Sequence, residues 1–239
     1  MTNSQKTKDI FLPGGPWISG QYLDEYLKEE KLNIHRFIYK NHESRHVQNQ
    51  KTTFLEICND TLEYLNSIQE PYNLIGHSFG GLIMLHLIGH PLLTKKIKKF
   101  IIISTPLTSQ RSTVFQERTK ELGRLDYFDN NSFQEVFNKI LPLYFYKDSS
   151  QRKHLFTDTF YEGNQAANLT DDQFSVVKQN FKTYENQLTI IYGDEDLLLT
   201  EDEMIPPDNK EIFRFENCGH FPMLEVRENF TRVLERVLD

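Results

Sequence analysis

The 239-residue sequence predicts an α/β protein with a mainly parallel sheet of about six strands flanked by helices. Short apolar segments of strand character alternate with longer helical patterns up to residue 105 and again from residue 187 onward. Residues 100–104 read Phe-Ile-Ile-Ile-Ser, an apolar run typical of a strand buried on both faces of a parallel sheet. Residues 106–186 show helical patterns without a convincing strand, which predicts a helical insertion.

The segment before residue 105 supplies the first elements in order. A first short strand stops at the Pro-Gly-Gly-Pro sequence of residues 13–16, since proline and glycine interrupt regular structure. Thr53 and Glu56 have the spacing of a capping box, which marks the start of a helix. The predicted elements are strand 9–12, helix 21–30, strand 33–39, a loop over 40–50, a helix from residue 53, strand 72–75, helix 80–89 and strand 100–104.

The second part of the chain supplies the insertion and the end of the sheet. Ser132 with Glu135, and Thr170 with Gln173, repeat the capping-box spacing. The predicted elements are helices at about 114–122, from 132, at 151–161 and from 170, followed by strands 188–192 and 211–215 and a helix over 228–238. Residues 1–105 and 187–239 are therefore predicted to form the core, and residues 106–186 a helical insertion in it.

The charge balance narrows the possible partners. With 27 Lys and Arg against 34 Asp and Glu, the chain has a net charge of −7, and no basic stripe suited to nucleic acid stands out. The N-terminus lacks a signal-peptide pattern, and the apolar runs fall short of the roughly 20 residues that span a bilayer. Cys58 and Cys218 fit reduced thiols. We therefore expect a cytoplasmic monomer or homodimer without membrane or nucleic-acid partners.

The strongest chemical signal is a G-x-S-x-G sequence at residues 76–80, where Gly-His-Ser-Phe-Gly joins a short apolar strand to an apolar helix. A strand that turns directly into a helix forces Ser78 into a strained backbone conformation, and the flanking glycines leave room for neighbouring backbone. Ser78 then lies at a helix N-terminus, where unpaired N–H groups favour negative charge on a reacting oxygen. These features predict that Ser78 is a nucleophile and that His77 supports its loop.

A serine nucleophile needs a general base, and an imidazole base needs a carboxylate that orients it. His220 is the best placed of the eight histidines, because it follows strand 211–215 at the sheet edge where active sites of open α/β sheets form. The carboxylate is expected from the loop after strand 188–192. Asp194, Glu195 and Asp196 all lie in that loop, and periodicity does not select among them.

These sequences together resemble the α/β-hydrolase superfamily over nearly the whole chain. The matching stretches are Leu-Pro-Gly-Gly-Pro at 12–16, Gly-His-Ser-Phe-Gly-Gly at 76–81, Gly-Asp-Glu-Asp at 193–196 and Gly-His-Phe-Pro-Met-Leu-Glu at 219–225. The resemblance implies an α/β-hydrolase fold and a catalytic triad of Ser78, Asp196 and His220, in the chain order that this family uses. Asp194 is the fallback for the acid.

The resemblance also implies an oxyanion hole formed by the backbone N–H groups of Gly15 and Phe79. Locally the chain is most similar to the proline iminopeptidase branch, whose loop reads H-G-G-P-G. Pro13 stands where that loop has histidine, Trp17 replaces a glycine, and the D-x-R-G-x-G-x-S stretch of the branch is absent. Aminopeptidase activity is therefore one candidate among several.

We predict a serine hydrolase that cleaves a small carboxylic ester or thioester with an apolar group through an acyl-enzyme. The insertion is modestly enriched in Phe and Tyr, of which most are expected in its own core and a few in an apolar acyl or alkyl pocket. The alternatives are an aminopeptidase or amidase, an acyltransferase, and a small-molecule binding protein that retains the triad. No cofactor is expected, and no metal, because the pairs His42/His46 and His86/His90 lack a third ligand in sequence.

Overall fold

The computed structural model describes residues 8–15, 18–47, 51–108, 113–121, 133–147, 154–156, 169–200, 203 and 211–239. Within these residues six strands form a single sheet in which every neighbouring pair is parallel. The strands are β1 (Lys8–Leu12), β2 (Ile34–Arg36), β3 (Tyr72–His77), β4 (Ile97–Ile103), β5 (Leu188–Gly193) and β6 (Glu211–Phe215). The predicted parallel sheet of about six strands is confirmed.

The strand order is β2-β1-β3-β4-β5-β6. β3 lies between β1 and β4, and every one of its residues is buried. The chain therefore goes from β1 to one edge of the sheet, at β2, and returns to the opposite side of β1 at β3. In open parallel sheets, ligands bind outside the carboxyl ends of the strands at such a reversal. The loops that follow β1 and β3 border this position.

Helices cover both faces of the sheet. In the described residues they are α1 (Tyr22–Glu29), α2 (Phe54–Ser67), α3 (Phe79–Leu87), α4 (Thr113–Glu121), α5 (Phe133–Ile140), α6 (Asp171–Tyr184), α7 (Pro222–Glu225) and α8 (Arg227–Leu238). α2 and α3 pack on one face through an apolar cluster that includes Phe54, Leu65 and Ile83. α1 and α8 pack on the other face through a cluster that includes Leu23 and Leu234. Both faces of the sheet are thereby shielded from water, as a parallel sheet requires.

Two of the predicted capping boxes are present. Glu56 N donates to Thr53 Oγ1 at 3.3 Å, and Thr53 N donates to Glu56 Oε2 at 2.8 Å, so two backbone donors at the start of α2 are satisfied. Thr170 and Gln173 make the same reciprocal pair at the start of α6. The Ser132 cap lies outside the described residues.

The strand ends differ from the prediction in ways that follow from sheet position. β2 was expected over 33–39 but pairs only over Ile34–Arg36, because it is an edge strand and its single neighbour, β1, ends at Leu12. β3 continues past residue 75, because Gly76 and His77 still pair with β4. α7, which begins at a proline, lies in a stretch for which no helix was predicted.

The insertion between β4 and β5 contains α4, α5 and α6, which agree with three of its four predicted helices. Of the predicted helix over 151–161, only residues 154–156 are described. α6 is tied to the core, since Asn180 Nδ2 donates to the backbone oxygen of Leu85 in α3 at 2.8 Å. None of the described helices combines the length and the apolar character needed to cross a bilayer.

Candidate active site

Ser78 occupies the turn between β3 and α3 with φ 52° and ψ −115°, a backbone conformation that non-glycine residues rarely adopt. Its N–H donates to Ile103 O at 2.8 Å, which holds the turn against β4. A Cβ on Gly76 would lie 2.7 Å from Gly81 Cα, and one on Gly80 would lie 2.1 Å from Leu12 O. Only glycine fits at either position, so the sequence pattern and the sharp turn have the same steric cause.

The imidazole of His220 and the carboxylate of Asp196 are hydrogen-bonded and almost wholly buried. His220 Nδ1 lies 2.8 Å from Asp196 Oδ2, and the two side chains are 1% and 0% exposed. Leu198 N donates to the other carboxylate oxygen, Oδ1, at 3.0 Å. A Cβ on Gly193 would lie 2.2 Å from Cys218 O, so glycine at the end of β5 permits the close approach of the loops that carry these two residues.

The neighbouring carboxylate of Asp194 faces a different partner. Its Oδ2 lies 3.5 Å from Arg214 of β6, and its N–H donates to Phe215 O at 3.0 Å. The hydrogen bond to His220 therefore comes from Asp196 and not from the fallback position.

The second nitrogen of the His220 ring, Nε2, is the predicted acceptor for the Ser78 hydroxyl. Nε2 of His220 is buried and has no hydrogen-bond partner among the described residues. His220 and Ser78 line the same cavity. Nε2 and Ser78 Oγ are not hydrogen-bonded to each other in the structure, and contacts between a base and its nucleophile often tighten only when substrate binds.

The two backbone amides that the sequence predicts for the oxyanion hole, those of Gly15 and Phe79, make no hydrogen bond to a described residue. Phe79 is the first residue of α3, where an amide has no partner within the helix. Gly15 has φ +76°, and neither its N–H nor that of Phe79 donates to another described residue. The N–H of Gly14, by contrast, donates to the hydroxyl of Tyr22 at 2.7 Å, so it is already occupied. Pro16 and Trp17 lie outside the described residues.

The cavity has a volume of about 120 Å³. Ser78, His77 and His220 line it together with Gly14, Gly15 and Phe79. Apolar side chains form most of the rest, including Ile18, Leu82, Phe137, Leu169, Phe174 and Leu198. Its lining within the described residues includes no Asp, Glu, Lys or Arg side chain. Such a cavity favours an uncharged, apolar group next to the serine.

A family model described as "Alpha/beta hydrolase family" matches residues 10–233. The chain belongs to this family. The match spans the sheet, the insertion and the loops of Ser78, Asp196 and His220. No curated protein sequence matches the chain.

Solved structures of other α/β-hydrolases share the fold over almost the whole chain. A serine hydrolase from the polyaromatic hydrocarbon-degrading bacterium Cycloclasticus zankles has a TM-score of 0.68 at 14% identity, covering 97% of this chain and 89% of its own. A meta-cleavage product hydrolase from Pseudomonas fluorescens has a TM-score of 0.67 at 13% identity, covering 96% and 89%. A thermophilic esterase from Thermogutta terrifontis has a TM-score of 0.64 at 14% identity, covering 96% and 90%.

Two site residues of this α/β-hydrolase were not singled out from its sequence. Tyr144, from the insertion, lines the cavity and packs edge-on against the His220 ring at a centroid distance of 5.3 Å. Its backbone oxygen accepts from His220 N at 2.7 Å. Glu225 accepts hydrogen bonds from the backbone of the His220 loop and of the insertion. Glu225 ends the matching stretch 219–225, which was the only available signal for it. Tyr144 is one of the Phe and Tyr residues of the insertion, of which a few were expected in a pocket, but its contact with His220 was not predicted.

The two histidine pairs have structural surroundings. His42 and His46 flank a single helical turn over Glu43–Arg45, and their Nδ1 atoms lie 3.0 Å from Lys40 O and 3.4 Å from Asn41 O. His86 packs edge-on against Phe54. Among the described residues there is no group of three or more His, Cys, Asp or Glu arranged to hold a metal ion.

Proposed function

We propose that this α/β-hydrolase is a serine hydrolase with Ser78 as nucleophile, His220 as general base and Asp196 as the carboxylate that orients the base. The observation that carries the proposal is the meeting of two independent features at one cavity. One is a serine held in a strained turn at a helix N-terminus, and the other is a buried Asp–His pair whose second ring nitrogen is unpartnered.

The direction of proton transfer follows from the hydrogen bonds. A carboxylate only accepts, so Nδ1 of His220 carries the proton that is donated to Asp196, and Nε2 of the neutral ring is free to accept one. Nε2 takes the proton of Ser78 as Oγ adds to the substrate carbonyl. The carbonyl oxygen becomes negative and receives hydrogen bonds from the amides of Gly15 and Phe79.

The second half of the cycle restores the serine. The protonated Nε2 of His220 gives its proton to the departing alcohol or thiol, and an acyl-enzyme on Ser78 Oγ remains. Nε2 then takes a proton from water, whose oxygen attacks the acyl carbon, and returns it to Ser78 as the carboxylic acid leaves. Asp196 remains ionised throughout and stabilises the charged imidazole.

A small carboxylic ester or thioester with an apolar acyl group is the proposed substrate. The cavity has a volume of about 120 Å³, which suits a small group, and most of its lining is aliphatic and aromatic. An aminopeptidase would have to bind an N-terminal ammonium, and the described lining offers no carboxylate for it. The cavity therefore favours the ester or thioester over the peptide.

We further propose that residues 106–186 act as a cap over this site. Pro106, Phe137, Tyr144, Leu169 and Phe174 all belong to this segment, and they line the cavity together with Ser78 of the core. The core would then supply the reacting groups, and the cap would supply much of the surface that selects the acyl group.

Labelling with a fluorophosphonate, which reacts with activated serines, tests the proposal. We expect the wild-type protein to be labelled once per chain and to hydrolyse p-nitrophenyl esters, with the best rates between butyrate and octanoate. Ser78→Ala should abolish both. Ser67→Ala is the matched control, because Ser67 lies at the exposed end of α2 and its hydroxyl donates only to Tyr64 O.

Labelling that survives Ser78→Ala would show that the nucleophile is another residue. A wild-type protein that binds an ester tightly but is neither labelled nor active would instead favour a binding protein that retains the triad. Product analysis with added alcohol or amine separates hydrolysis from acyl transfer.

A further inference from the structure

Behind Ser78 lies a buried chain of polar groups that the proposed reaction does not use. The hydroxyl of Tyr22, the first residue of α1, is 2.8 Å from His77 Nδ1 and accepts from Gly14 N at 2.7 Å. On the other side of the ring, His77 Nε2 is 2.8 Å from the backbone oxygen of His220. Both side chains are 0% exposed, so these contacts have no competition from bulk water.

The chemistry of the partners sets the direction of every hydrogen bond. The carbonyl of His220 only accepts, so His77 Nε2 carries the proton and donates. In the neutral ring Nδ1 must then accept, which makes the Tyr22 hydroxyl the donor to His77. That hydroxyl oxygen is left to accept from the Gly14 amide. All the groups are satisfied in one arrangement only: Gly14 to Tyr22 to His77, and His77 to His220.

Burial reinforces this arrangement. Burial away from water is the main cause that holds the pKa of His77 well below its usual value, and the nearby His220 ring lowers it further. The His77 ring therefore stays neutral. A protonated His77 would have two donors and would turn a donor toward Tyr22, breaking the chain of bonds.

The hydrogen-bonded chain of Gly14, Tyr22, His77 and the His220 carbonyl joins the three segments that contain the proposed catalytic groups. Gly14 precedes Gly15, whose amide is one donor to the oxyanion. His77 precedes Ser78, and the carbonyl it binds belongs to the base itself. These segments are far apart in sequence. Tyr22 binds the backbone at Gly14, and His77 binds the backbone at His220, so the Tyr22–His77 hydrogen bond links them.

We propose that Tyr22 and His77 are positioning residues that align the Gly15 amide and the His220 ring with Ser78 Oγ. The proposal rests on the proposed function, because it assigns these two residues to the serine, base and oxyanion groups named there. It concerns geometry alone: neither side chain exchanges a proton with substrate.

The first test removes one oxygen atom. Tyr22→Phe keeps the ring, which stacks on Phe156 and packs edge-on against Phe221 at centroid distances of 5.6 and 5.3 Å. Tyr26→Phe is the matched control, since Tyr26 lies one turn further along α1 and is also fully buried. Its hydroxyl shares a hydrogen bond of 3.0 Å with Thr231 Oγ1, and neither residue lines the cavity.

We expect Tyr22→Phe to lower kcat for an ester by about tenfold to hundredfold, less than the loss of an entire oxyanion donor, while KM changes by less than about threefold. Tyr26→Phe should leave kcat per labelled site unchanged. A merely structural role for Tyr22 would reduce the fraction of chains that a fluorophosphonate labels, and would leave turnover per labelled chain intact. That result, or equal kcat in the two variants, overturns the proposal.

Variants of His77 test its two hydrogen bonds separately, one to Tyr22 and one to the His220 carbonyl. They also provide the test if Tyr22→Phe does not fold. His77→Asn keeps an acceptor near the Nδ1 position for Tyr22 but loses the donor to His220. His77→Gln keeps a donor near Nε2 but loses the acceptor for Tyr22. Each should lower kcat by about tenfold or more. His77→Gln combined with Tyr22→Phe should lose less than the product of the two single losses, because both break the Tyr22–His77 contact, while Tyr22→Phe alone also removes the acceptor of Gly14 N. Independent, additive losses would contradict a shared role.

The outcomes also distinguish this proposal from the proposed function. If Ser78→Ala abolishes labelling and turnover while Tyr22→Phe and the His77 variants match the wild type, only the positioning role fails. If the wild-type protein is neither labelled nor active, the proposed function fails first.

Discussion

Asp196 and Asp194 lie two positions apart in one loop, yet their carboxylates have different tasks. Asp196 is buried against His220, whereas Asp194 faces Arg214, whose side chain is 62% exposed. Asp196→Asn should lower kcat by about 10³ to 10⁴, because an amide in that place stabilises the wrong tautomer of the ring. Asp194→Asn should change kcat by less than about threefold, because its carboxylate pairs with Arg214 and not with His220. Steady-state ester hydrolysis decides, and the reverse ranking would return the acid to the fallback position.

His77 also gives the protein a specific dependence of stability on pH. Its pKa is depressed in the folded state, while the unfolded chain takes up a proton near the usual value of 6.5. Protons therefore favour unfolding, and this part of the stability is present above that value and lost as the pH falls. Between about pH 7.5 and about pH 5.5 we expect His77 to lower the free energy of unfolding by roughly 1 kcal/mol.

Urea unfolding of the wild type and of His77→Gln at both pH values measures this difference. Subtracting the variant removes the contributions of His35 and His86, whose pKa values burial also lowers. The variant should be the less stable at the higher pH but should lose less on acidification. Parallel losses in the two proteins would contradict a neutral His77 in the folded state.

At the scale of elements, the segment that follows α5 is attached to the loop of the base through one carboxylate. Glu225 Oε2 accepts from Tyr146 N at 2.8 Å, and Oε1 accepts from Gly219 N and Phe221 N at 3.0 and 3.3 Å. Glu225→Gln replaces one acceptor oxygen by a donor that faces backbone N–H groups. We expect the free energy of unfolding to fall by about 2 kcal/mol, the range for hydrogen bonds to a charged group.

Glu228→Gln is the control for this prediction. Glu228 lies close by in α8, is 80% exposed and pairs only with Arg232 in the same helix among its described contacts, so its loss should be below about 0.5 kcal/mol. Urea unfolding monitored by fluorescence compares the two variants. Equal stabilities would mean that Glu225 does not hold the two segments together.

The parts of the site that could be predicted from sequence are those that depend on residues close together in the chain. The turn at Ser78 depends on steric requirements at Gly76 and Gly80, which lie within two residues of it and leave a readable pattern. Tyr22 carries no such mark. It reads as one more aromatic residue on the buried face of α1, and its meeting with His77 depends on how α1 packs beside β3. Contacts of this kind arise from the assembled fold, and no local pattern specifies them.

The strand lengths follow the same logic. The edge strand β2 was predicted too long and the central strand β3 too short, because the number of neighbours decides where pairing ends and side-chain pattern alone does not. The capping boxes of α2 and α6 were predictable because both partners lie three residues apart.

On the scale of the whole molecule, the loops of the sheet would supply the reacting groups of the proposed enzyme, and the insertion would supply part of the surface that binds the acyl group. The reversal of strand order brings the loops after β1 and β3 to one position, and β5 and β6 deliver Asp196 and His220 to the same edge. About half of the apolar lining of the cavity comes from the insertion, namely Pro106, Phe137, Tyr144, Leu169 and Phe174. Changes in the insertion should therefore alter which acyl group is accepted, while the reacting groups stay in place.

Phe174 allows this division to be tested. It lies in α6, lines the cavity and is only partly buried, so its truncation should enlarge the acyl site without collapsing the core. Phe174→Ala should shift the best ester toward longer chains, raising kcat/KM for decanoate relative to butyrate by about tenfold, the value of one or two methylene groups in an apolar pocket.

Phe181→Ala is the control, because Phe181 lies on the same helix, packs on the same apolar cluster and is not among the residues that line the cavity. Both variants remove a phenyl ring from α6, so a shared loss of stability cancels in the comparison. If both change the decanoate-to-butyrate ratio alike, the effect reflects a loosened helix, and the acyl group must be selected elsewhere. If only Phe174→Ala changes it, while labelling at Ser78 proceeds at the wild-type rate, the insertion selects the substrate and the core performs the reaction.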